Sequence, residues 1–417
     1  MLRIFQGRLI IVRITLLAAM LSLIGIGIAT IYASGNPPES TETFVHASAW
    51  KKQLAFAVVG LFFFFMLNLI DYHWLGPPSY WMYAACLGVL SLLLLDKYID
   101  LPFVPVINYS RRWIRIGFAG HYQQIQPSEF CKILYILALA WYLRFRRNYR
   151  KFWGLVGPFV LTLVAMALIL FEPDLGTVLL LMPILFAMLF VAGAKVKHLF
   201  LIILLAAAVS PFLWDNLNGY QRSRISSFLL QNEWIQKKAE TNTNVSKLLT
   251  GRDHFSVEIW KQDKGYHLIH SKLAIASGGL TGYGYRQGPY MKYPKLPERH
   301  NDFIFSIIAH QWGLLGCLAV FVLYGAIIAC GMEIVWSNTE PFARLIAVGI
   351  ITMFLMQVIV NTCMTVGLMP ITGLTLPLVS YGGSSLVVNI IAVGLLNSIG
   401  RTRPFSVAGK GFERRSL

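Results

Sequence analysis

Three stretches of this chain, 14–33, 175–194 and 345–400, contain no Asp, Glu, Lys or Arg. Runs of that kind constrain the fold more than any other feature. A helix of about 20 apolar residues crosses a hydrocarbon core roughly 30 Å thick with its backbone polar groups bonded internally. The composition agrees: of 417 residues, 56% are hydrophobic and 13% charged, about half the charged share of a soluble domain. The sequence therefore reads as an all-α polytopic membrane protein, a single transmembrane domain over 1–417.

Apolar segmentation gives about ten crossings, near 11–33, 53–70, 79–95, 129–143, 153–171, 175–194, 198–214, 303–330, 342–364 and 378–399. The first follows Arg3, Arg8 and Arg13 and is too long for a signal-peptide core, so it reads as a retained span. Lys and Arg crowd alternate connections, notably 1–13, 144–152 and 400–417, while the short connections between them hold only Lys51, Lys52, Lys97, Arg111, Arg112 and Arg115. That asymmetry places both termini in the cytoplasm and one large extracytoplasmic loop, 215–301, between spans seven and eight. The net charge of +17 follows from this bias and the basic outer loop, so it gives no argument for nucleic-acid binding. Cys86, Cys131, Cys317, Cys330 and Cys363 all lie in apolar segments without metal-ligand or disulfide spacing, and read as small core residues.

The large loop holds thirteen Lys and Arg against seven Asp and Glu, compatible with an anionic ligand or with simple solvation. Its second half, "YHLIHSKLAIASGGLTGYGYRQG", starts as an amphipathic helix. Ile269, Leu273 and Ile275 can share an apolar stripe lying at the membrane interface. The glycines within 278–288 mark a flexible or tightly turning segment.

Ionisable side chains inside spans cost about 2.5–3.5 kcal/mol each on insertion, so they tend to have a use. "LPERHNDFIF" carries Glu298, Arg299, His300 and Asp302 to the threshold of the eighth span. Position alone lets Asp302 be a helix cap. A carboxylate at the rim of a low-dielectric cavity is also a suitable general base, because desolvation raises its basicity. In "QPSEFCK", Pro127 suits a first helical turn and Glu129 and Lys132 share one face, as an internal salt bridge or as a cavity wall. "YSRRWIRIG" offers Arg111, Arg112 and Trp113 as interfacial anchors or as a grip on phosphate. "FEPDLGT" adds Glu172 and Asp174, with Asp174 placed to cap the sixth span. In "GLMPITGLTLPLVSYGGSSL", Pro370, Gly373, Pro377, Gly382 and Gly383 break regular helix ahead of Ser384 and Ser385. Irregular backbone at that depth belongs in protein or along a wet cavity, and its freed amides can bind an anion. Lys272, Ser384 and Ser385 complete the candidate substrate-binding set.

Taken in order, "RRWIRIG", "QPSEFCK", "FEPDLGT", "GYHLIHSKLAIASGGLTGYG", "LPERHNDFIF" and "GLMPITGLTLPLVSYGGSSL" resemble the SEDS family (shape, elongation, division, sporulation) of bacterial cell-wall proteins along nearly the whole chain. "PERHNDFIF" and "GYQRSRISSFL" followed by "GYH" are more similar to the elongation branch (RodA-like) than to the division branch (FtsW-like). The resemblance implies a peptidoglycan glycosyltransferase polymerising lipid II at the outer face of the bacterial cytoplasmic (inner) membrane. It implies membrane lipid, a class B penicillin-binding protein transpeptidase and other elongation-machinery membrane proteins as partners. By the motif match, Asp302 occupies the position of the family's essential aspartate, and Glu129 and Lys132 that of its "PSE-x-x-K" pair. The chemistry agrees, since one carboxylate can take a sugar hydroxyl's proton while positive charge stabilises a pyrophosphate leaving group. A divalent cation (Mg or Mn) bound with the pyrophosphate is compatible with this; the sequence shows no metal cage and calls for no organic cofactor. Two departures stand out: "AHQWG" places His310 and Gln311 where many relatives carry an acidic pair, and the stretch 232–263 reads as an insertion or a partner contact. The rival readings are a lipid-linked-precursor flippase or other transporter, which needs a midplane site, and a non-catalytic scaffold, in which Asp302 only caps a helix.

Overall fold

The computed structural model describes residues 9–35, 48–99, 102–106, 111–118, 121–145, 151–213, 219–263, 265–293 and 296–402. The basic inside segments expected at 1–8, 146–150 and 403–417 lie outside the described residues. Helices α1 (Ile10–Gly35), α2 (Ala49–Leu69) and α3 (Ser79–Ile99) precede an antiparallel hairpin of β1 (Ile114–Phe118) and β2 (His121–Ile125). Then come α4 (Pro127–Leu143), α5 (Val156–Phe171), α6 (Leu175–Val191) and α7 (Val196–Leu213). Short helices occupy the large loop: α8 (Gly219–Leu229), α9 (Glu233–Thr241), α10 (Thr243–Thr250), α11 (Val257–Gln262), α12 (Tyr266–Gly278) and α13 (Pro289–Lys292). The long helices α14 (Ile304–Ser337), α15 (Pro341–Val366) and α16 (Gly383–Arg401) follow.

Among the described residues, 7 helices are long and apolar enough to cross a membrane: α1, α2, α3, α5 with the turn before it, α14, α15 and α16. Helices α6 and α7 are shorter and apolar, and α4 carries the buried Glu129 and Lys132. Each expected crossing thus falls on a helix. The last one starts at Gly383 rather than 378, because residues 370–382 are irregular. The hairpin was not expected; 111–125 read as plain outer loop.

Helices α15 and α16 form the centre, with α2 packed on α16 and with α4, α6 and α14 packed on α15. Their cores are Leu, Ile, Val and Ala, together with Cys86, Cys131, Cys317 and Cys330 as small buried side chains. Helix α14 breaks at Gly313, where φ is 60° and ψ is −156°. The glycine-rich segment supplies the missing partners: Tyr283 N donates to His310 O at 3.1 Å, Gly284 N to Gln311 O at 2.9 Å and Leu314 N to Gly279 O at 2.9 Å. The orphaned groups of a broken helix are thereby satisfied inside the protein. A Cβ at Gly282 would overlap the Gln311 carbonyl, so this approach requires glycine. His310 and Gln311 are both fully buried and knit the same segment, His310 Nδ1 to Ser277 Oγ at 2.8 Å and Gln311 Oε1 to Arg286 N at 3.0 Å. These positions therefore need no negative charge to serve the fold.

The stripe expected on α12 divides: Leu273 is exposed, Ile269 packs partly on the small loop core and Ile275 partly on the main core, whereas Leu268, Ser271, Ala274 and Gly278 are buried on the side of α14 and α15. Small residues allow that close approach, and Ser271 Oγ meets Ser306 Oγ at 2.7 Å and Thr365 O at 2.7 Å. The stretch 232–263 folds into α9, α10 and α11, with its own small core of Ala239, Leu249 and Trp260 against Leu230 and Ile269.

Candidate active site

The turn 296–303 is clamped against the irregular run 370–382. Asn361 Nδ2, from α15, donates to Asp302 O at 3.0 Å and to Leu374 O at 2.7 Å. Ser380 Oγ donates to Asn301 O at 2.8 Å, and Tyr381 N donates to His300 O at 2.8 Å. Gln53, from α2, completes the lock through Ser380 O at 3.0 Å and Gly382 N at 3.3 Å. Irregular backbone is held here by side-chain amides and hydroxyls instead of a regular ladder. The dense Pro and Gly pattern between spans nine and ten is thus the frame of a site.

That frame bounds a cavity of about 730 Å³. Asp302, Glu298 and His300 enter it from the turn, Arg224 from α8, Glu129 from α4 and Asp174 from the start of α6. Arg112, Trp113, Tyr122 and Gln124 line it from the hairpin, Lys52 from α2, and Ser384 and Ser385 from the first turn of α16. Burial lifts the Asp302 carboxyl from its ordinary 3.8 to about 6; Arg224 and Arg112 pull it down, while Glu298 and Asp174 push it up. An added Cβ at Gly373 would stand 3.1 Å from Arg224 Nη1 and 3.6 Å from Asp302 Oδ2. The bare glycine is what leaves the guanidinium and the carboxylate room side by side. Helix α14 takes Phe303 as its N-cap and has no side-chain cap hydrogen bond. Asp302 is therefore not occupied as a helix cap.

The other acidic groups divide by role. Asp174 does cap α6: its carboxylate accepts from Thr177 N at 3.2 Å, Ser128 Oγ at 2.9 Å and Gln126 Nε2 at 3.0 Å. It also reaches the cavity. Glu129 meets Lys132 Nζ at 2.7 Å, and Lys132 is fully buried. The first turn of α16 follows Gly382 without a side-chain cap, leaving its amides beside the cavity as an anion cradle. Ser384 Oγ accepts from Gln126 N at 3.0 Å and Ser385 Oγ meets Thr375 Oγ1 at 2.9 Å, which fixes that turn against α4 and the 370–382 run.

Of the residues singled out from sequence, Asp302, Glu129, Arg112, Trp113, Glu298, His300, Ser384 and Ser385 come together on the wall. Four do not. Lys132 lies behind Glu129; Arg111 is bound to the buried Asp96 at 2.9 Å. Arg299 is buried with its guanidinium on Tyr290 O at 3.3 Å. Lys272 is exposed on α12 and reaches Gln231 Oε1 at 3.4 Å. Arg111 and Lys132 are each paired with a carboxylate, while Arg299 meets a backbone carbonyl and the exposed Lys272 a neutral amide. Sequence reasoning missed Arg224, Lys52 and the hairpin's Tyr122 and Gln124. The alternation of Ile114, Ile116 and Phe118 was the available signal for the hairpin; Arg224 lies within "GYQRSRISSFL", but nothing local marked it as a cavity residue.

Compared with known proteins, residues 14–404 match the FtsW/RodA/SpoVE family model, described as cell cycle protein. The chain belongs to this family. It is 33% identical to the peptidoglycan glycosyltransferase RodA of Treponema pallidum, over 92% of this chain and 96% of that protein. It is 32% identical to the stage V sporulation protein E of Bacillus subtilis, over 94% of this chain and 96% of the relative. Among solved structures, a chain from a peptidoglycan synthase complex, studied for its coordination of polymerisation and crosslinking, aligns with TM-score 0.71 and 28% identity, over 93% of this chain and 96% of that one. Rod shape determining protein RodA of Thermus thermophilus aligns with TM-score 0.62 and 27% identity, over 93% and 96%. The chain is thus an integral membrane glycosyltransferase.

Proposed function

We propose that the chain polymerises lipid II into peptidoglycan glycan strands at the outer face of the cytoplasmic membrane, with Asp302 as general base, in the elongation branch of its family. The observation that carries this is Asp302 itself: a carboxyl held near 6, not occupied in capping α14, beside Arg224 and in one cavity with Arg112. A base of that strength is mostly ionised at neutral pH and still accepts a proton readily.

The step balances without a second carboxylate. The acceptor sugar hydroxyl attacks the anomeric carbon of the donor; its oxygen–carbon bond forms as the bond to pyrophosphate oxygen breaks, and the hydroxyl proton passes to Asp302. Polyprenyl pyrophosphate leaves with the electron pair. Arg112, Lys52 and the first-turn amides of α16 would hold its charge, which is where preorganised positive groups stabilise a transition state most. Among the described residues, no three His, Cys, Asp or Glu side chains gather as a preformed metal site. A magnesium or manganese ion would have to take most of its ligands from the pyrophosphate and water.

The partner we propose is a class B penicillin-binding protein that cross-links the nascent strands, in keeping with the chain's likeness to one from a synthase complex. The test is glycan synthesis from lipid II by the purified protein in detergent or vesicles, with and without that partner. Strands longer than the disaccharide unit support the reading. Transbilayer movement of lipid II without any strand, with the partner present, would favour a flippase instead.

A further inference from the structure

The polar face of the β1–β2 hairpin forms one wall of the cavity, and neither the general base nor the phosphate cradle uses it. We infer that this face is a saccharide subsite, on which Trp113 and Tyr122 stack against sugar rings while Gln124 bonds their hydroxyl and acylamino groups. The inference rests on the glycosyltransferase reading and deepens it by separating sugar recognition from pyrophosphate recognition.

The register defines the face. Arg115 pairs with Gln124 and Gly117 with Tyr122, whereas Ile114 pairs with Ile125 and Ile116 with Gln123. Directly paired residues share a side of a sheet and alternate residues point the same way. Arg115, Gln124, Gly117 and Tyr122 therefore lie on one side, and the three isoleucines on the other. Trp113, two residues before Arg115, continues the first side. Trp113, Tyr122 and Gln124 all line the cavity, and Gln123, from the isoleucine side, reaches it as well.

The chemistry of that side suits a neutral ring better than a phosphate. The Arg112 guanidinium sits 4.8 Å from the Trp113 ring centroid, and that of Arg115 sits 5.3 Å from the Tyr122 ring. Each aromatic ring is thus held by a cation, and the rings and an amide remain as groups for a ligand. A pyranose offers a flat C–H face and a rim of donors and acceptors; an aromatic ring matches the first and a carboxamide, with both donors and an acceptor, matches the second. Gly117, opposite Tyr122, adds no side chain that would cover the phenol.

The face is also rigid at its base, as a subsite must be. Arg111 pins the strand entry to the buried Asp96, Arg115 N donates to Phe103 O at 2.7 Å, and Gln126 N donates to Ser384 Oγ at 3.0 Å. This last bond ties the hairpin to the first turn of α16, so the sugar face and the anion cradle are held in one frame.

The experiment titrates the full-length protein in detergent with a soluble tetramer of β-1,4-linked N-acetylglucosamine, which has neither lipid nor pyrophosphate, and reads binding by saturation-transfer NMR. Wild type should bind. Trp113→Ala should weaken binding about five- to tenfold and Trp113→Phe by less than about threefold, since losing one stacked ring is worth about 1–1.4 kcal/mol. Gln124→Ala, at an exposed position that the fold does not depend on, should weaken it about three- to tenfold, the loss of roughly one hydrogen bond. No binding by wild type, or unchanged binding in both Trp113→Ala and Gln124→Ala, overturns the inference. Strand synthesis by wild type without saccharide binding would overturn the subsite and leave the polymerase reading standing. Saccharide binding that is sensitive to Trp113, without strand synthesis, would do the reverse.

Discussion

Replacing Asp302 with Asn should silence the protein and stabilise it at once. Folding lifts this carboxyl from 3.8 to about 6, chiefly by burial, so the folded state at neutral pH confines a charge that water solvates better. The rise from 3.8 to about 6, at about 1.36 kcal/mol per factor of ten in acidity, corresponds to about 3 kcal/mol. Asp302 is only half-buried, and solvent screening brings the expected gain to about 1–3 kcal/mol. Between roughly pH 4 and pH 6 the folded state binds more protons than the unfolded state, so wild type loses stability as pH rises through that window and carries the full penalty above it. Asn has nearly the same shape and no charge at any pH. The variant should therefore match wild type near pH 4 and exceed it at pH 8. Thermal unfolding of the detergent-solubilised proteins across this range reads the difference directly. A variant no more stable than wild type at pH 8, or a gap that does not change with pH, would refute the reasoning that burial strains this carboxylate.

Arg224 lowers the basicity of Asp302, so Arg224→Gln should move the acidic limb of the pH–rate profile upward from about 6, and Arg224→Lys should move it less; an unmoved limb would show that the two do not face each other. Arg111→Ala takes the arginine away from the buried Asp96 carboxylate and should cost on the order of 2–4 kcal/mol, recovered in part by adding Asp96→Asn, as measured by thermal unfolding. Lys132→Met alone should destabilise by about 3–5 kcal/mol and the double change with Glu129→Gln by clearly less, because a lone buried charge costs more than none; equal losses would mean the pair is not coupled. Gly373→Ala forces a side chain onto a backbone at φ +78° and against Arg224 Nη1; it should cost about 1–3 kcal/mol and lower kcat, whereas an unchanged kcat would free Arg224 from that position.

The membrane-spanning helices were legible because their signal is local: an uncharged run declares itself wherever it lies. The frame of the site was legible for the same reason, since Pro370, Gly373, Pro377 and Gly382 cannot continue a helix. Half of the wall was legible too, because Asp302, Glu129 and Ser384 are polar groups set against apolar runs. What escaped depends on contacts between distant parts of the chain. Arg224 is one cation among many in a polar loop, and only the fold brings it beside Asp302. Arg111 and Lys272 looked like Arg112 in sequence but met other partners, Asp96 and Gln231. The stripe on α12 split because Ile269 and Ile275 found partners in two different cores, and Gly278 lets the helix close on α14. The kink at Gly313 and its glycine-rich filling are likewise reciprocal, each explicable only with the other in view.

The central claim is that Asp302 takes the acceptor hydroxyl's proton. Its most direct measurement is the rate of strand synthesis from lipid II, with the cross-linking partner present, for wild type, Asp302→Asn and Asp302→Glu at matched folded concentration. The account predicts strands from wild type, weak synthesis from Asp302→Glu and a loss of at least about a hundredfold in Asp302→Asn, the scale of a general base. Synthesis by a folded Asp302→Asn at the wild-type rate would contradict it.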